Sequence, residues 1–166
     1  VSVKEGSTIL EAARSVGIEI PTLCHMKGIN EIGACRICVV EVKNMRTLVA
    51  SCVYPVNEGM EVYTNTPRVI ESRKTTLELM LSDHRKNCLS CERNTNCELQ
   101  RLSYQYGCDA NRFSGEIKES VTDTSTEYLV RDNSKCILCR RCIAVCKKVQ
   151  GIGVLGANER GFSTHV

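Results

Sequence analysis

Residues 32–42 read Ile32-Gly33-Ala34-Cys35-Arg36-Ile37-Cys38-Val39-Val40-Glu41-Val42. A C-x2-C pair runs directly into an apolar, β-branched stretch, the pattern of a loop feeding a strand over 37–42. Gly33 and Ala34 are small, so the backbone can wrap closely around whatever the two thiols hold. Downstream, 47–53 is a second strand-like run after a polar turn at 43–46, and 60–63 is a third. Upstream, 8–16 reads as a short helix: Thr8 and Glu11 have capping-box spacing, Gly17 terminates it, and Ile9, Ala13 and Val16 share a face. Residues 1–64 therefore predict a mixed unit, one helix over a small sheet. Val1 and Val3 alternate like the tail of a strand over 1–4. A lone strand needs a partner, so an earlier strand is expected, and with no closing signal in 156–166 the chain reads as a fragment.

Thr66-Pro67 opens a second helix with proline at its first position. Ile70, Leu77 and Leu81 recur along it to about residue 82. A Cys-rich loop follows, then a short helix over 98–106 with Leu99, Leu102 and Tyr106 on one side. Residues 107–128 are polar and poor in pattern, a linker or extended surface segment. Residues 131–150 form a compact Cys-rich module. The three Cys-rich regions differ in spacing and are not repeats.

Composition narrows the function. The chain has 166 residues with a net charge of +3, five Tyr, two Phe and no Trp. That balance argues against a nucleic-acid footprint, and there is little for bases to stack on. No apolar run reaches the roughly 18 residues of a spanning helix. No serine–histidine–acid set, phosphate loop or dinucleotide fingerprint is present, so no catalytic residue is assigned. Twelve cysteines are the outlying number. They fall in tight C-x2-C groups without a signal peptide, which favours metal ligation over a disulfide framework.

The first group is Cys24, Cys35, Cys38 and Cys52, spaced C-x10-C-x2-C-x13-C. Four thiolates suit a 2Fe–2S cluster, two per iron; the alternative is zinc, whose four-cysteine sites usually carry two C-x2-C knuckles. The second is His84, Cys88, Cys91 and Cys97, spaced H-x3-C-x2-C-x5-C. It fits a 4Fe–4S cluster or, taken alone, a zinc site; a histidine at a helix end is otherwise an ordinary solvated side chain. The third is Cys136, Cys139, Cys142 and Cys146, spaced C-x2-C-x2-C-x3-C. This is the bacterial ferredoxin run, in which three cysteines hold one 4Fe–4S cluster and the fourth ligates another. Lys147 replaces the usual proline, and no second run follows. Either the partner run lies beyond this chain, or Cys146 closes a single local cluster. Cys108, His25 and His165 fall outside the groups and read as bystanders. Arg140, Arg141, Lys147 and Lys148 are a solvated face, or offset anionic clusters and meet an acidic donor protein.

In order, these three groups resemble the N-terminal electron-relay region of multi-cluster, NAD(P)-linked FeFe hydrogenases. The stretches 32–42, Glu58-Gly59-Met60-Glu61-Val62, Thr64-Asn65-Thr66-Pro67 and Lys135-Cys136-Ile137-Leu138-Cys139-Arg140-Arg141-Cys142 carry the likeness. A similar front end occurs in the large iron–sulfur subunit of respiratory complex I and in NAD-dependent formate dehydrogenases. The resemblance implies an α+β chain. A β-grasp 2Fe–2S ferredoxin-like domain spans 1–65, and a helix with a His-ligated 4Fe–4S segment spans 66–107. A linker over 108–130 leads to a truncated ferredoxin-like module at 131–166. It further implies that the first group holds 2Fe–2S and that His84 with Cys88, Cys91 and Cys97 holds 4Fe–4S. Cys136, Cys139 and Cys142 would hold a second 4Fe–4S, and Cys146 would serve a further one. Complex I typically lacks a counterpart of Cys146, which favours a hydrogenase or formate dehydrogenase. Implied partners are flavin- and NAD(P)-binding iron–sulfur subunits of one cytoplasmic hetero-oligomer, with ferredoxin a further candidate; bifurcation of electrons stays open. A redox sensor or a zinc scaffold is the rival reading.

Overall fold

The computed structural model describes residues 1–114, 122–128 and 130–166. Part of the expected linker, 115–121 and 129, lies outside the described residues.

Helix α1 spans Ile9–Ser15. Its start is fixed reciprocally: the Glu11 N–H donates to Thr8 Oγ1 at 3.2 Å and the Thr8 N–H to Glu11 Oε2 at 3.0 Å. Such a box satisfies two otherwise orphaned donors. The buried face is Ile9, Leu10 and Ala13, whereas Val16, expected on it, is the exposed cap residue. Three short strands follow: β1 (Val39–Val42), β2 (Val49–Ala50) and β3 (Val62–Tyr63). They pair antiparallel in the order β2-β1-β3, with Val39 opposite Ala50 and Val42 opposite Val62. All three are shorter than the sequence suggests. At β2 the chain turns after Ala50, whose carbonyl accepts from both Val53 and Tyr54 N–H groups. Residues 1–4 form no strand and pair with no other strand among the described residues.

Helix α2 (Pro67–Ser82) starts as read, with Thr66 accepting from the Val69 N–H at 3.3 Å. The same hydroxyl donates to Glu41 Oε2 at 2.7 Å, tying the helix start to β1. Its buried stripe is Val69, Arg73 and Leu77, spaced by four, while Ile70 faces solvent. Arg73 is 2% exposed, donating to the Val39 carbonyl at 2.8 Å and the Tyr106 hydroxyl at 3.0 Å. One side chain thus joins α2, β1 and the end of α3 (Glu98–Gln105), whose Leu99 and Leu102 pack inward. Helix α4 (Arg141–Lys148) completes the described helices.

The core is in two parts. One lies between α1 and the sheet: Ile9, Leu10, Ile20, Val40, Val42 and Val49, with Cys38 and Cys52 at its edge. The other gathers Leu23, Ile37, Leu77, Leu99 and Leu102 with Cys24 and Cys35, and Cys97, Ile137 and Cys139 pack against it. Cysteines of all three sequence groups therefore meet this second apolar cluster.

Candidate metal centre

The first group is assembled by the sheet. Pairing Val39 with Ala50 brings the flanking Cys38 and Cys52 together, Sγ to Sγ at 3.3 Å, while the Ser51 N–H donates to the Cys38 carbonyl at 3.1 Å. Cys24 and Cys35 form a second pair, the Cys35 N–H donating to Cys24 Sγ at 3.4 Å. All four side chains are buried. Within each pair one thiol donates to the other. The shared hydrogen bond from Cys24 pulls Cys35 below the usual thiol range, and that from Cys52 pulls Cys38 down. The donors Cys24 and Cys52 are pushed up by the same bonds and then by burial. Cys52 feels the charge of Cys38, Cys24 and Cys35, so the four thiols share one field. The two pairs thus bring four thiols into one buried set, from which ligation displaces protons.

The loop geometry explains how. Gly33 (φ 61°) and Arg36 (φ 57°) are left-handed. A Cβ on Gly33 would stand 3.1 Å from Val53 Cγ2, so glycine is required both by conformation and by space. Left-handed residues recur in the third group at Leu138 (φ 54°) and Arg140 (φ 59°). Non-glycine residues there cost about 1–2 kcal/mol each. They turn successive N–H groups inward, the concave arrangement that binds anionic sulfur. Leu138 N–H donates to Cys136 Sγ at 3.4 Å in this way.

The second group lies on the connection from α2 to α3. His84 follows Asp83, the cap of α2; Cys88 opens a 3-10 turn, Cys91 ends it, and Cys97 caps α3. Burial, then the nearby Lys135 charge, holds the His84 imidazole below its ordinary pKa. Its Nδ1 is buried with no hydrogen-bond partner. A neutral imidazole with an unspent ring nitrogen is what ligation requires. The Arg85 N–H donates to the Ser134 carbonyl at 3.1 Å, bringing this loop against the third group.

In the third group Cys139 packs on the second core cluster and Cys142 lies in the first turn of α4. Cys146 is buried, and the backbone N–H groups of Leu155, and then of Val154 and Gly153, pull its thiol pKa down. The chain after α4 folds back over it, Ile152 and Gly153 N–H groups donating to its carbonyl.

Among the described residues no three histidine, cysteine or carboxylate side chains stand close enough for a single metal ion. The paired thiols of the first group instead suit a two-iron centre taking two thiolates per iron. The donor chemistry therefore fits an iron–sulfur group. Sequence reasoning missed Asn30, Ser51 and the left-handed Arg36, Leu138 and Arg140. The last three had a signal, since a C-x2-C loop must turn sharply to converge its thiols. Ser51 is fully buried beside Cys38 with its hydroxyl toward the Cys38 sulfur, and nothing local announces that.

Comparison with known proteins defines the class. Residues 1–67 match the 2Fe-2S iron-sulfur cluster binding domain, and 73–112 match the NADH-ubiquinone oxidoreductase-G iron-sulfur binding region. The chain is 47% identical over 170 residues to the NADP-reducing hydrogenase subunit HndD of Solidesulfovibrio fructosivorans, covering 99% of this chain and 29% of that protein. It is 41% identical over 167 residues to the NADH-ubiquinone oxidoreductase 75 kDa subunit of Reclinomonas americana, covering 100% of this chain and 24% of that one. The crystal structure of an NAD+-reducing [NiFe]-hydrogenase in the H2-reduced state superposes with TM-score 0.91 at 32% identity, over 99% of this chain and 69% of that one. The fold and sites define an iron–sulfur protein. The chain belongs to the family of iron–sulfur regions shared by NAD(P)-linked hydrogenases and the large complex I iron–sulfur subunit. It spans under a third of the length of these curated relatives. No helix among the described residues is long and apolar enough to cross a membrane.

Proposed function

We propose that this chain is the electron-relay portion of a larger NAD(P)-linked hydrogenase of the FeFe type. It would pass single electrons between a flavin- and NAD(P)-binding partner subunit, or a ferredoxin, and a hydrogen-activating site outside these residues. The observation that carries the reading is the second core cluster, around which Cys24, Cys35, Cys97 and Cys139 all pack. Ligands of three separate groups thereby share one small apolar unit, as a relay demands.

Bound iron–sulfur centres supply reversible one-electron storage. The chain's residues do the rest. Cys24, Cys35, Cys38 and Cys52 would hold a 2Fe–2S centre. His84 with Cys88, Cys91 and Cys97 hold a 4Fe–4S centre, and Cys136, Cys139 and Cys142 hold another, with Cys146 serving a further one. Leu77, Leu99 and Leu102 exclude water between them. The domain division at 65, 107 and 130 belongs to this proposal, as do a cytoplasmic location and hetero-oligomeric assembly. The environment of Cys146 supports its role as a ligand, because three backbone N–H groups lower its pKa. The presence of Cys146, whose counterpart complex I typically lacks, favours a hydrogenase or formate dehydrogenase over a complex I subunit, the second reading that the 75 kDa relative supports.

The test is an anaerobic reductive titration of the complete protein with NADH, NADPH and hydrogen, followed by EPR. Stepwise appearance of one 2Fe–2S and several 4Fe–4S signals with both hydrogen and a nicotinamide is expected. Reduction by nicotinamide and never by hydrogen would move the assignment to the complex I type.

A further inference from the structure

Asn30 is 2% exposed, and its side chain is committed to two ligand-bearing peptide units. Nδ2 donates to the Cys24 carbonyl at 2.8 Å and to the Cys139 carbonyl, 109 positions away, at 3.0 Å. Both amide hydrogens are spent, and a single nitrogen atom separates a backbone carbonyl of the first site from one of the third. The turn that presents it is tightly made: Met26 and Asn30 exchange backbone hydrogen bonds of 3.0 and 2.7 Å, with Gly28 left-handed between them. Arg141 reinforces the same junction from α4, Nε donating to the Cys24 carbonyl at 3.3 Å and Nη2 to the His25 carbonyl at 3.1 Å. Docking alone does not demand this arrangement. The packing of Ile137 and Cys139 against the apolar cluster that contains Leu23 and Ile37 already joins the two regions. A buried amide whose loss would take a donor from both carbonyls, with Arg141 left only on that of Cys24, is a costly device for adhesion.

We propose that Asn30 is the positioning residue that couples the first and third metal sites, giving the relay a hydrogen-bonded link from Cys24 to Cys139. The inference rests on the relay reading above. The step Asn30 serves moves one electron. It oxidises the 2Fe–2S centre held through Cys24 and reduces the 4Fe–4S centre held through Cys139. No proton is transferred, no bond is broken, and the step runs equally in reverse. Asn30 touches neither centre; it fixes the distance and orientation of the two ligand peptides and supplies a hydrogen-bonded contact between them. Arg141 holds the junction closed without bridging the two cysteines.

The experiment uses the complete protein, anaerobically purified, as wild type, Asn30→Leu, Asn30→Ser and Arg141→Lys. Iron and sulfide content is measured first, then rapid-freeze EPR after reduction, and the power saturation of the 2Fe–2S signal, which reports magnetic contact with a neighbouring reduced centre. Wild type lacking separate 2Fe–2S and 4Fe–4S signals would sink the underlying relay reading before any variant is compared. With those signals present, Asn30→Leu is expected to keep full iron and both line shapes while electron exchange between the two centres slows several-fold. Its 2Fe–2S signal should also saturate at lower power. If Asn30→Leu loses iron, the smaller Asn30→Ser, which cannot span both carbonyls, provides the same comparison. Arg141→Lys is expected to slow exchange less than either. Exchange and saturation like wild type in the iron-replete Asn30 variants would overturn the proposal. So would Arg141→Lys matching or exceeding them, since the junction would then act by docking alone.

Discussion

The first cysteine group and the other two are built on different plans. Cys24, Cys35, Cys38 and Cys52 are all buried: Cys38 and Cys52 belong to the apolar cluster between α1 and the sheet, and Cys24 and Cys35 to the one shared with α2 and α3. Folding this region and forming its site are one event: the β1–β2 register that buries Val40 also sets Cys38 against Cys52. The second and third groups hang on short turns. Cys88 and Cys142 are exposed, Leu89 between Cys88 and Cys91 is 95% exposed, and the flanking helices α3 and α4 are eight residues each. Helices that short are marginal without tertiary support. The difference teaches that one site is pre-organised by a hydrophobic core, whereas the others depend on what they bind to complete their structure.

The largest expected effect breaks the comparison outright. Stripping iron should leave β1, β2 and α2 protected in hydrogen exchange while 84–97 and 131–155 lose protection almost completely. Uniform loss across the chain would contradict the two-plan account. Next is the shared core: Leu77→Ala, at a fully buried position beneath Cys24 and Cys35, should cost about 2–5 kcal/mol. Thermal unfolding that falls for the whole chain at once would establish that the sites share one cooperative unit.

A smaller effect comes from the edge of α2. Glu78 has no side-chain exposure, accepting from Arg112 at 2.7 Å and from the Asp109 N–H at 2.9 Å. Burial pushes its pKa up, but those bonds outweigh it and the net value lies below the ordinary 4.5. A carboxylate depressed in this way stabilises the fold fully above its unfolded pKa and loses that contribution as pH falls through the folded one. The share of acid sensitivity due to Glu78 should therefore set in below pH 4.5 and be lost in Glu78→Gln, which costs about 1–3 kcal/mol at neutral pH. An unchanged acid midpoint in the variant would remove Glu78 from the account.

Two substitutions sharpen the contrast without breaking it. His84→Cys adds an anionic ligand to the second centre and should lower its potential by on the order of 100 mV, by analogy with histidine-for-cysteine exchange in 2Fe–2S centres. An unchanged redox titration would exclude His84 as a ligand. Ser51→Ala removes a buried hydroxyl whose available acceptor is the sulfur of the first site, and should lower that potential by less. Stability should barely change, because the hydroxyl makes no other bond.

Legibility follows the range of the interaction. The capping box of Thr8 and Glu11, the Thr66-Pro67 start of α2, and the glycine at position 33 were readable because each is settled within a few residues. The strand extents were overread because Cys38 and Cys52 sit where the chain leaves the sheet to wrap the site. Apolar pattern cannot distinguish a paired residue from a wrapping one. Arg73 was invisible for the opposite reason: a charged residue occupies the centre of the buried helix stripe, justified only by Val39 and Tyr106 from distant segments. The cysteine groups were legible as groups. That Cys24, Cys97 and Cys139 converge on one apolar cluster was not, since the convergence is made by helix packing.

The central claim is that the three groups hold iron–sulfur centres. Its most direct test is the iron, acid-labile sulfide and zinc content of the anaerobically purified chain. The account predicts iron and sulfide in equal amounts, about six of each for one 2Fe–2S and one 4Fe–4S centre, rising to about ten where the third group is closed. Zinc without sulfide would contradict it.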